Sequence, residues 1–220
     1  MDLVIFDLDG TLIDSKEDLS CAVNAARAHS GMPPLDNETV YSYVGEGAPV
    51  LIRRALGPDA THEQVQEALT FFLSYYNDHM VDHTVLYPGV LETLDRLLAA
   101  EVKMAVLTNK PVRMSRAIVE ALGMGAHFAR VYGGNSFDQK KPHPVGIETL
   151  LRECEATKDR TMMVGDSAVD IRTARNAQVK ACGVTYGFQP ETLAAEPPDL
   201  LVDRIEELAD WVIRTEESPR

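Results

Sequence analysis

The sequence predicts an α/β fold in which a mainly parallel, doubly wound sheet is interrupted by a block of helices directly after its first strand. Three observations lead there. Leu3-Val4-Ile5-Phe6 is an unbroken apolar run closed by Asp7, the pattern of a strand buried on both faces. Residues 15 to 82 read as helical throughout. After Asp82, short β-branched runs alternate with helical segments, as a parallel sheet with crossover helices requires.

The elements follow in order. The first strand ends at Asp7, and the chain turns at Gly10. A helical signal starts at Asp14 and Ser15, both capping residue types, with Glu17 and Asp18 three residues on; Gly31-Met32-Pro33-Pro34 stops it. A second helix, Val50 to Leu56, is ended by Gly57-Pro58. A third begins at Thr61, where Gln64 completes a capping box, and its stripe of Val65, Leu69, Phe72, Tyr76 and Met80 is most simply core. Asp82 to Pro88 returns the chain to the sheet. There, Pro88-Gly89 opens a helix to about Ala100, and Val102 to Thr108 is a strand. Pro111 opens a helix ended by Gly123, before the strand Ala129 to Tyr132. A helix near Pro144 to Glu155 leads to the strand Thr161 to Val164, and a helix near Ala168 to Ala177 leads to Val179 to Val184. Leu200 to Val202 precedes a last helix through Trp211, and Glu216 to Arg220 reads as a frayed tail. The division expected is residues 1–14 and 83–220 for the sheet domain and 15–82 for the insert.

Composition narrows the function classes. Among 220 residues, 34 acidic and 21 basic side chains give a net charge of −13, which repels nucleic-acid backbones. Charges interrupt every apolar segment short of the ~20 residues a membrane span needs. The start, Met1 to Asp7, has no basic leader and too short an apolar run for a secretory signal. Cys21, Cys154 and Cys182 each sit in or beside apolar stretches and read as reduced, buried thiols. A cytoplasmic protein that partners neither nucleic acid nor membrane is expected.

Ligands of open α/β sheets bind at the carboxyl ends of the strands. The first strand here ends in Asp7-Leu8-Asp9-Gly10-Thr11 and the second in Thr108-Asn109-Lys110. Lys141-Pro142 follows the third, and the fourth ends in Gly165-Asp166-Ser167, with Asp170 four residues beyond Asp166. Helix capping is an alternative reading for Thr108 or Asp170 taken singly. It is a poor account of Asp-x-Asp-Gly-Thr, whose four fixed residues at about 5–7% usage match by chance roughly once in 10⁵ positions. Two carboxylates spaced by two at the end of a buried strand repel each other without a cation or a shared proton. Oxygen ligands in small number favour Mg²⁺, and no zinc spacing of Cys and His is present.

These segments, in this order around a helical insert, resemble the haloacid dehalogenase superfamily of aspartate-nucleophile phosphatases, over nearly the whole chain. Thr108-Asn109-Lys110-Pro111, Lys141-Pro142-His143-Pro144 and Val164-Gly165-Asp166-Ser167 look most like the phosphoglycolate phosphatase group within it. The resemblance implies a Rossmann-like core with a movable α-helical cap, Mg²⁺, and a phosphoaspartyl intermediate. Dehalogenating members lack the second aspartate of the first motif, so Asp9 argues against that chemistry. Carried onto this chain, Asp7 is the nucleophile and Asp9 the general acid and base. Asp7, Asp9 through its backbone carbonyl, and Asp166 hold the metal, with Asp170 as ligand or support. Lys141 offsets the phosphoryl charge, and Thr108, Asn109 and helix-start amides cradle the phosphoryl oxygens.

The remaining features leave alternatives open. Gly45-Glu46-Gly47-Ala48-Pro49 is either a loop dipping over the site or an ordinary interhelical turn. Arg53 and Arg54 either meet a substrate carboxylate or form a solvated face. Gly45, Glu46 and Arg53 are thus the specificity candidates, and His143 needs no catalytic role. The function expected is hydrolysis of a small phosphorylated metabolite, 2-phosphoglycolate first, by a monomer or homodimer. Alternatives are a sugar-phosphate mutase or inorganic pyrophosphatase on the same core. A phospho-accepting signalling module is a third, disfavoured by the helical insert.

Overall fold

The computed structural model describes residues 1–217. Six parallel strands form one sheet: β1 (Leu3–Phe6), β4 (Lys103–Leu107), β5 (Arg130–Tyr132), β6 (Thr161–Gly165), β7 (Lys180–Val184) and β8 (Leu200–Val202), in the order β5-β4-β1-β6-β7-β8. The central strand β1 alternates strictly. Val4 and Phe6 join the apolar layer under α5 (Val90–Ala99), α6 (Val112–Ala121) and α9 (Glu206–Glu217). Leu3 and Ile5 join the opposite layer under α7 (Val145–Glu153) and α8 (Ala168–Ala177). Burial on both faces is why its sequence shows no polar alternation. The sheet is the α/β, Rossmann-like core expected.

Between β1 and α5 the chain forms α1 (Lys16–His29), α2 (Asn37–Ser42), α3 (Ala48–Leu56) and α4 (His62–His79). These helices bury a separate apolar cluster that includes Leu19, Val23, Ile52, Phe72 and Tyr76. The capping box of α4 is formed: the Thr61 amide donates to Gln64 Oε1 at 2.8 Å and the Gln64 amide to Thr61 Oγ1 at 3.2 Å. Leu69 and Met80, expected in the core stripe, are only half-buried.

Four expectations need correction. Entry to and exit from the insert are not plain connections but a two-stranded antiparallel ribbon, β2 (Ile13–Asp14) with β3 (Val85–Leu86). Asp18 clamps its exit, accepting from the His83 amide at 3.0 Å and from the Thr84 amide and hydroxyl at 2.9 and 2.7 Å. Ser15 stands at the start of α1 without capping it, because its hydroxyl donates to Asp9 Oδ1 at 2.6 Å. Cys154 and Cys182 are buried but Cys21 is exposed, on the outward face of α1. Glu216 and Glu217, expected in a frayed tail, belong to α9; the rest of that segment, 218–220, lies outside the described residues. Among the described residues no helix is long and apolar enough to cross a membrane.

Candidate active site at the carboxyl edge of the sheet

Register brings the strand-end motifs together. Phe6 pairs with Val106 on one side and Val164 on the other, so Asp7, Thr108 and Asp166 emerge side by side. The turn after β1 depends on Gly10: its φ is +80°, and a Cβ there would stand 2.4 Å from Asp166 Oδ2. Gly187, past β7, admits Asp166 from the other side, where a Cβ would lie 2.2 Å from that residue's own Cβ.

Asp7, Asp166 and Asp170 each offer an oxygen within 4.8 Å of the others, all three side chains buried. Among the described residues one cation faces this group. Lys141 Nζ donates to Asp170 Oδ1 at 2.6 Å and lies 2.9 Å from Asp7 Oδ1. The second contact is an ion pair without hydrogen-bond alignment, so Asp7 Oδ1 is buried and has no hydrogen-bond partner. Asp170 Oδ2 accepts from the Ser167 amide and hydroxyl at 3.2 and 2.8 Å, so the capping reading of Asp170 holds together with the ion pair. Asp166 Oδ2 accepts from the Phe188 and Gln189 amides at 2.6 and 3.2 Å.

Electrostatics follow from three clustered carboxylates, only two of which pair with the lysine. Burial, with Asp170 and Asp7 adding to it, pushes Asp166 up to about 8 despite the two amides. Burial also raises Asp7 to about 6, against the opposing pull of Lys141. Burial alone would lower Lys141, but Asp170 and Asp7 reverse the direction and hold it charged. An all-oxygen donor set of three buried carboxylates against one lysine, with a surplus of negative charge, fits a small hard divalent cation.

Asp9 is placed differently. Its side chain is not in the triad; its Oδ1 and Oδ2 accept from Lys110 Nζ at 2.9 and 3.0 Å, with Ser15 as the further donor. Lys110 also donates to the Tyr76 hydroxyl of α4 at 2.7 Å and sits 4.5 Å over its ring. Sequence reasoning quoted Lys110 without a role and assigned Tyr76 to the core. Lys110's place beside Thr108-Asn109 was the one available signal.

Thr108 and Asn109 are buried at the mouth of β4. Asn109 Nδ2 donates to the Gly45 carbonyl at 3.0 Å and the Lys141 carbonyl at 3.2 Å. The Gly45–Pro49 loop therefore does dip over the strand ends; Gly47, at φ +87°, lets it come so close that a Cβ would meet the Asn109 carbonyl oxygen at 3.0 Å. Gln189 ties the same segment to the core by donating to the Ser42 and Val44 carbonyls at 3.0 and 2.8 Å. Between insert and sheet lies a cavity of about 50 Å³, lined by Asp7, Asp9, Thr108, Asn109, Lys110 and Asp166 below and by Leu19, Val44, Leu51, Phe72 and Tyr76 above. Arg53 is not brought to it: its guanidinium donates to the Ala60 and Pro58 carbonyls. The Glu46 side chain pairs outside the cavity with Arg54, while its carbonyl accepts from Lys140. His143 Nδ1 accepts from the Val145 amide in a turn.

Fold and site define a hydrolase of the doubly wound α/β class. A family model of haloacid dehalogenase-like hydrolases matches residues 4–184, and the chain belongs to that family. The phosphoglycolate phosphatase of Chromobacterium violaceum is 40% identical over 213 residues, covering 94% of each chain. That of Vibrio parahaemolyticus is 39% identical over 219 residues, 96% of this chain and 95% of its own. A crystal structure of a predicted phosphoglycolate phosphatase from Haemophilus somnus superposes with a TM-score of 0.91 at 32% identity, covering 96% of this chain and 97% of its own. The protein is a phosphatase resembling these relatives.

Proposed function

We propose that the protein hydrolyses a small phosphomonoester, 2-phosphoglycolate first, to phosphate and the free alcohol through a phosphoaspartyl intermediate on Asp7. The observation that carries this reading is Asp7 itself: a buried carboxylate at the end of the central strand, facing the cavity, with one oxygen lacking a hydrogen bond. Asp7 attacks phosphorus as the P–O ester bond breaks, and Asp9 gives its proton to the departing alkoxide oxygen. Water then attacks the aspartyl phosphate while Asp9 takes up the water's proton; phosphate leaves and Asp7 is regenerated. Asp7, Asp166, the Asp9 backbone carbonyl and Asp170, as ligand or support, would hold Mg²⁺, which when bound supplies positive charge to the phosphoryl oxygens. Lys141 keeps Asp7 and Asp170 in register and adds a second positive charge. Thr108 offers its hydroxyl to the transferring phosphoryl oxygens, while Asn109, whose side-chain N–H groups go to the Gly45 and Lys141 carbonyls, fixes the loops around them.

The helical insert acts as the cap: residues 15–82 pivot on the ribbon and shed water when they close. Three unpaired cysteines accord with a reducing cytoplasm. The test is phosphate release from 2-phosphoglycolate, with Mg²⁺ and with EDTA, by the native protein and by Asp7→Asn. Release should require the metal and be lost in Asp7→Asn, and acid quench during turnover should trap phosphate on Asp7. Undiminished turnover by Asp7→Asn refutes the reading.

A further inference from the structure

We propose that the segment Gly187-Phe188-Gln189, just past β7, couples the cap to the cation site: its backbone positions Asp166 while its side chains are held by the insert, so cap docking and divalent-cation affinity rise and fall together. The proposal rests on the reading of the triad as a cation site and adds what regulates it.

Asp166 is the odd member of the triad. Lys141 pairs with Asp7 and Asp170 but not with Asp166. Among the described residues, every hydrogen bond its carboxylate accepts comes from this segment, from the Phe188 amide at 2.6 Å and the Gln189 amide at 3.2 Å, both on Oδ2. Its side chain is also wedged between two glycines, with no room for a Cβ at Gly10 or at Gly187. A buried carboxylate repelled by two neighbours and held by two amides stands where those amides stand.

The amides in turn stand where the insert puts them. Gln189 Nε2 donates to the Ser42 and Val44 carbonyls at 3.0 and 2.8 Å, which spends both of its N–H groups on the cap. The Phe188 side chain packs against the apolar cluster of the insert. Lys16 Nζ, from the first residue of α1, lies 5.1 Å from the centre of the Phe188 ring and 5.5 Å from that of Tyr41 in α2, a cation–π bridge between insert and core loop. A segment that merely ended β7 would need none of these contacts. Tyr186 already ties it to the core by donating to the Thr11 carbonyl at 2.9 Å, and the Thr192 hydroxyl donates to the Gln189 carbonyl at 2.7 Å. A cap that swings out either draws Phe188 and Gln189 with it or breaks these contacts; in both cases the two amides lose their fixed place and Asp166 its support. By linkage, whatever factor cap docking adds to cation affinity, the cation adds to cap docking.

The experiment titrates the substrate-free protein with Mg²⁺ by isothermal calorimetry and follows amide hydrogen exchange over residues 43–48 of the insert, with Mg²⁺ and with EDTA. Gln189→Met keeps the length of the side chain and removes both donors; its Kd for Mg²⁺ should rise about tenfold. Lys16→Met should raise it about two- to fivefold. This second variant separates coupling from plain charge, since deleting a positive charge from the surroundings of an acidic site would by itself tighten Mg²⁺ binding. Conversely, Mg²⁺ should slow exchange over 43–48 in the native protein and do so less in Gln189→Met. Mg²⁺ binding that is unchanged or tighter in both variants overturns the coupling and leaves the reading of the triad intact. So does a slowing of exchange that Gln189→Met leaves undiminished; if Gln189→Met fails to fold, Lys16→Met decides alone. No Mg²⁺ binding by the native protein overturns the reading of the triad and this inference together.

Discussion

Replacing Lys141 by methionine removes the one cation among the triad of carboxylates while keeping a side chain of similar length. Lys141 is 4% exposed, 2.6 Å from Asp170 and 2.9 Å from Asp7. At an effective dielectric near 20, each contact is worth about 6 kcal/mol of gross attraction, most of it offset by the cost of burying the charges. What remains after one partner of a buried pair is deleted is typically a loss of about 3–5 kcal/mol, because the other charge is stranded. For a chain of this size that lowers the unfolding midpoint by roughly 6–20 °C in metal-free buffer near pH 8. The loss should shrink toward pH 5, since protonation relieves the stranded carboxylates. Added Mg²⁺ should restore part of it by binding the folded state. Turnover should fall by ~10²-fold or more, the scale for losing a preorganised charge at a transition state. Thermal and urea unfolding of the native and Lys141→Met proteins at pH 5 and pH 8, with Mg²⁺ and with EDTA, provide the assay. A variant whose deficit is under 1 kcal/mol, or equal at both pH values, would show that Lys141 does not balance these aspartates.

Three further outcomes are expected. The metal-free native protein should lose stability as pH rises from about 4 to about 8. Asp7 and Asp166 hold protons when folded that they would release near 3.8 when unfolded, so the unfolded state binds fewer protons across that window and each added pH unit favours it. Unfolding midpoints against pH check this, and the gain from Mg²⁺ should be larger at pH 8.5 than at pH 5.5. Gly165→Ala would place a Cβ 2.2 Å from Asp170 Cβ and Cγ, so urea titration should show a loss of about 1–3 kcal/mol and assays should show reduced turnover. Gln189→Ala removes the two bonds to Ser42 and Val44 and should raise KM several-fold while costing no more than about 1–3 kcal/mol of stability by urea titration.

The sheet was legible because burial on both faces writes itself as continuous apolar runs, and α8 lies where it was expected, near Ala168 to Ala177. The ribbon of Ile13–Asp14 and Val85–Leu86 was not, since two-residue strands have no period and are paired only when the insert folds back. Ser15 has the residue type and place of a helix cap. Its hydroxyl goes instead to Asp9, a choice made by tertiary structure that local propensity cannot express. Cys21 sits beside apolar residues in the chain but on the outer face of α1, where sequence adjacency carries no information about depth.

The site divides along the same line. Asp7, Thr108 and Asp166 could be placed together from their strands alone, because parallel register makes neighbouring strand ends converge. Lys110 could be seen at a strand end but not understood, since its partners Asp9 and Tyr76 lie 101 and 34 residues away. The consequence is a physical asymmetry between the two lysines. Lys141 faces two carboxylates and leaves the triad short of positive charge, so a metal-free site is held folded against its own repulsion, and affinity for a divalent cation is the other side of that instability. Lys110 faces one carboxylate and a neutral hydroxyl, so its charge is not shared among competing anions. The chain thus has one cation set among the clustered carboxylates and one paired with Asp9 beneath the insert. Loss of Mg²⁺ should therefore weaken the fold at the triad while leaving the Asp9–Lys110 pair in place.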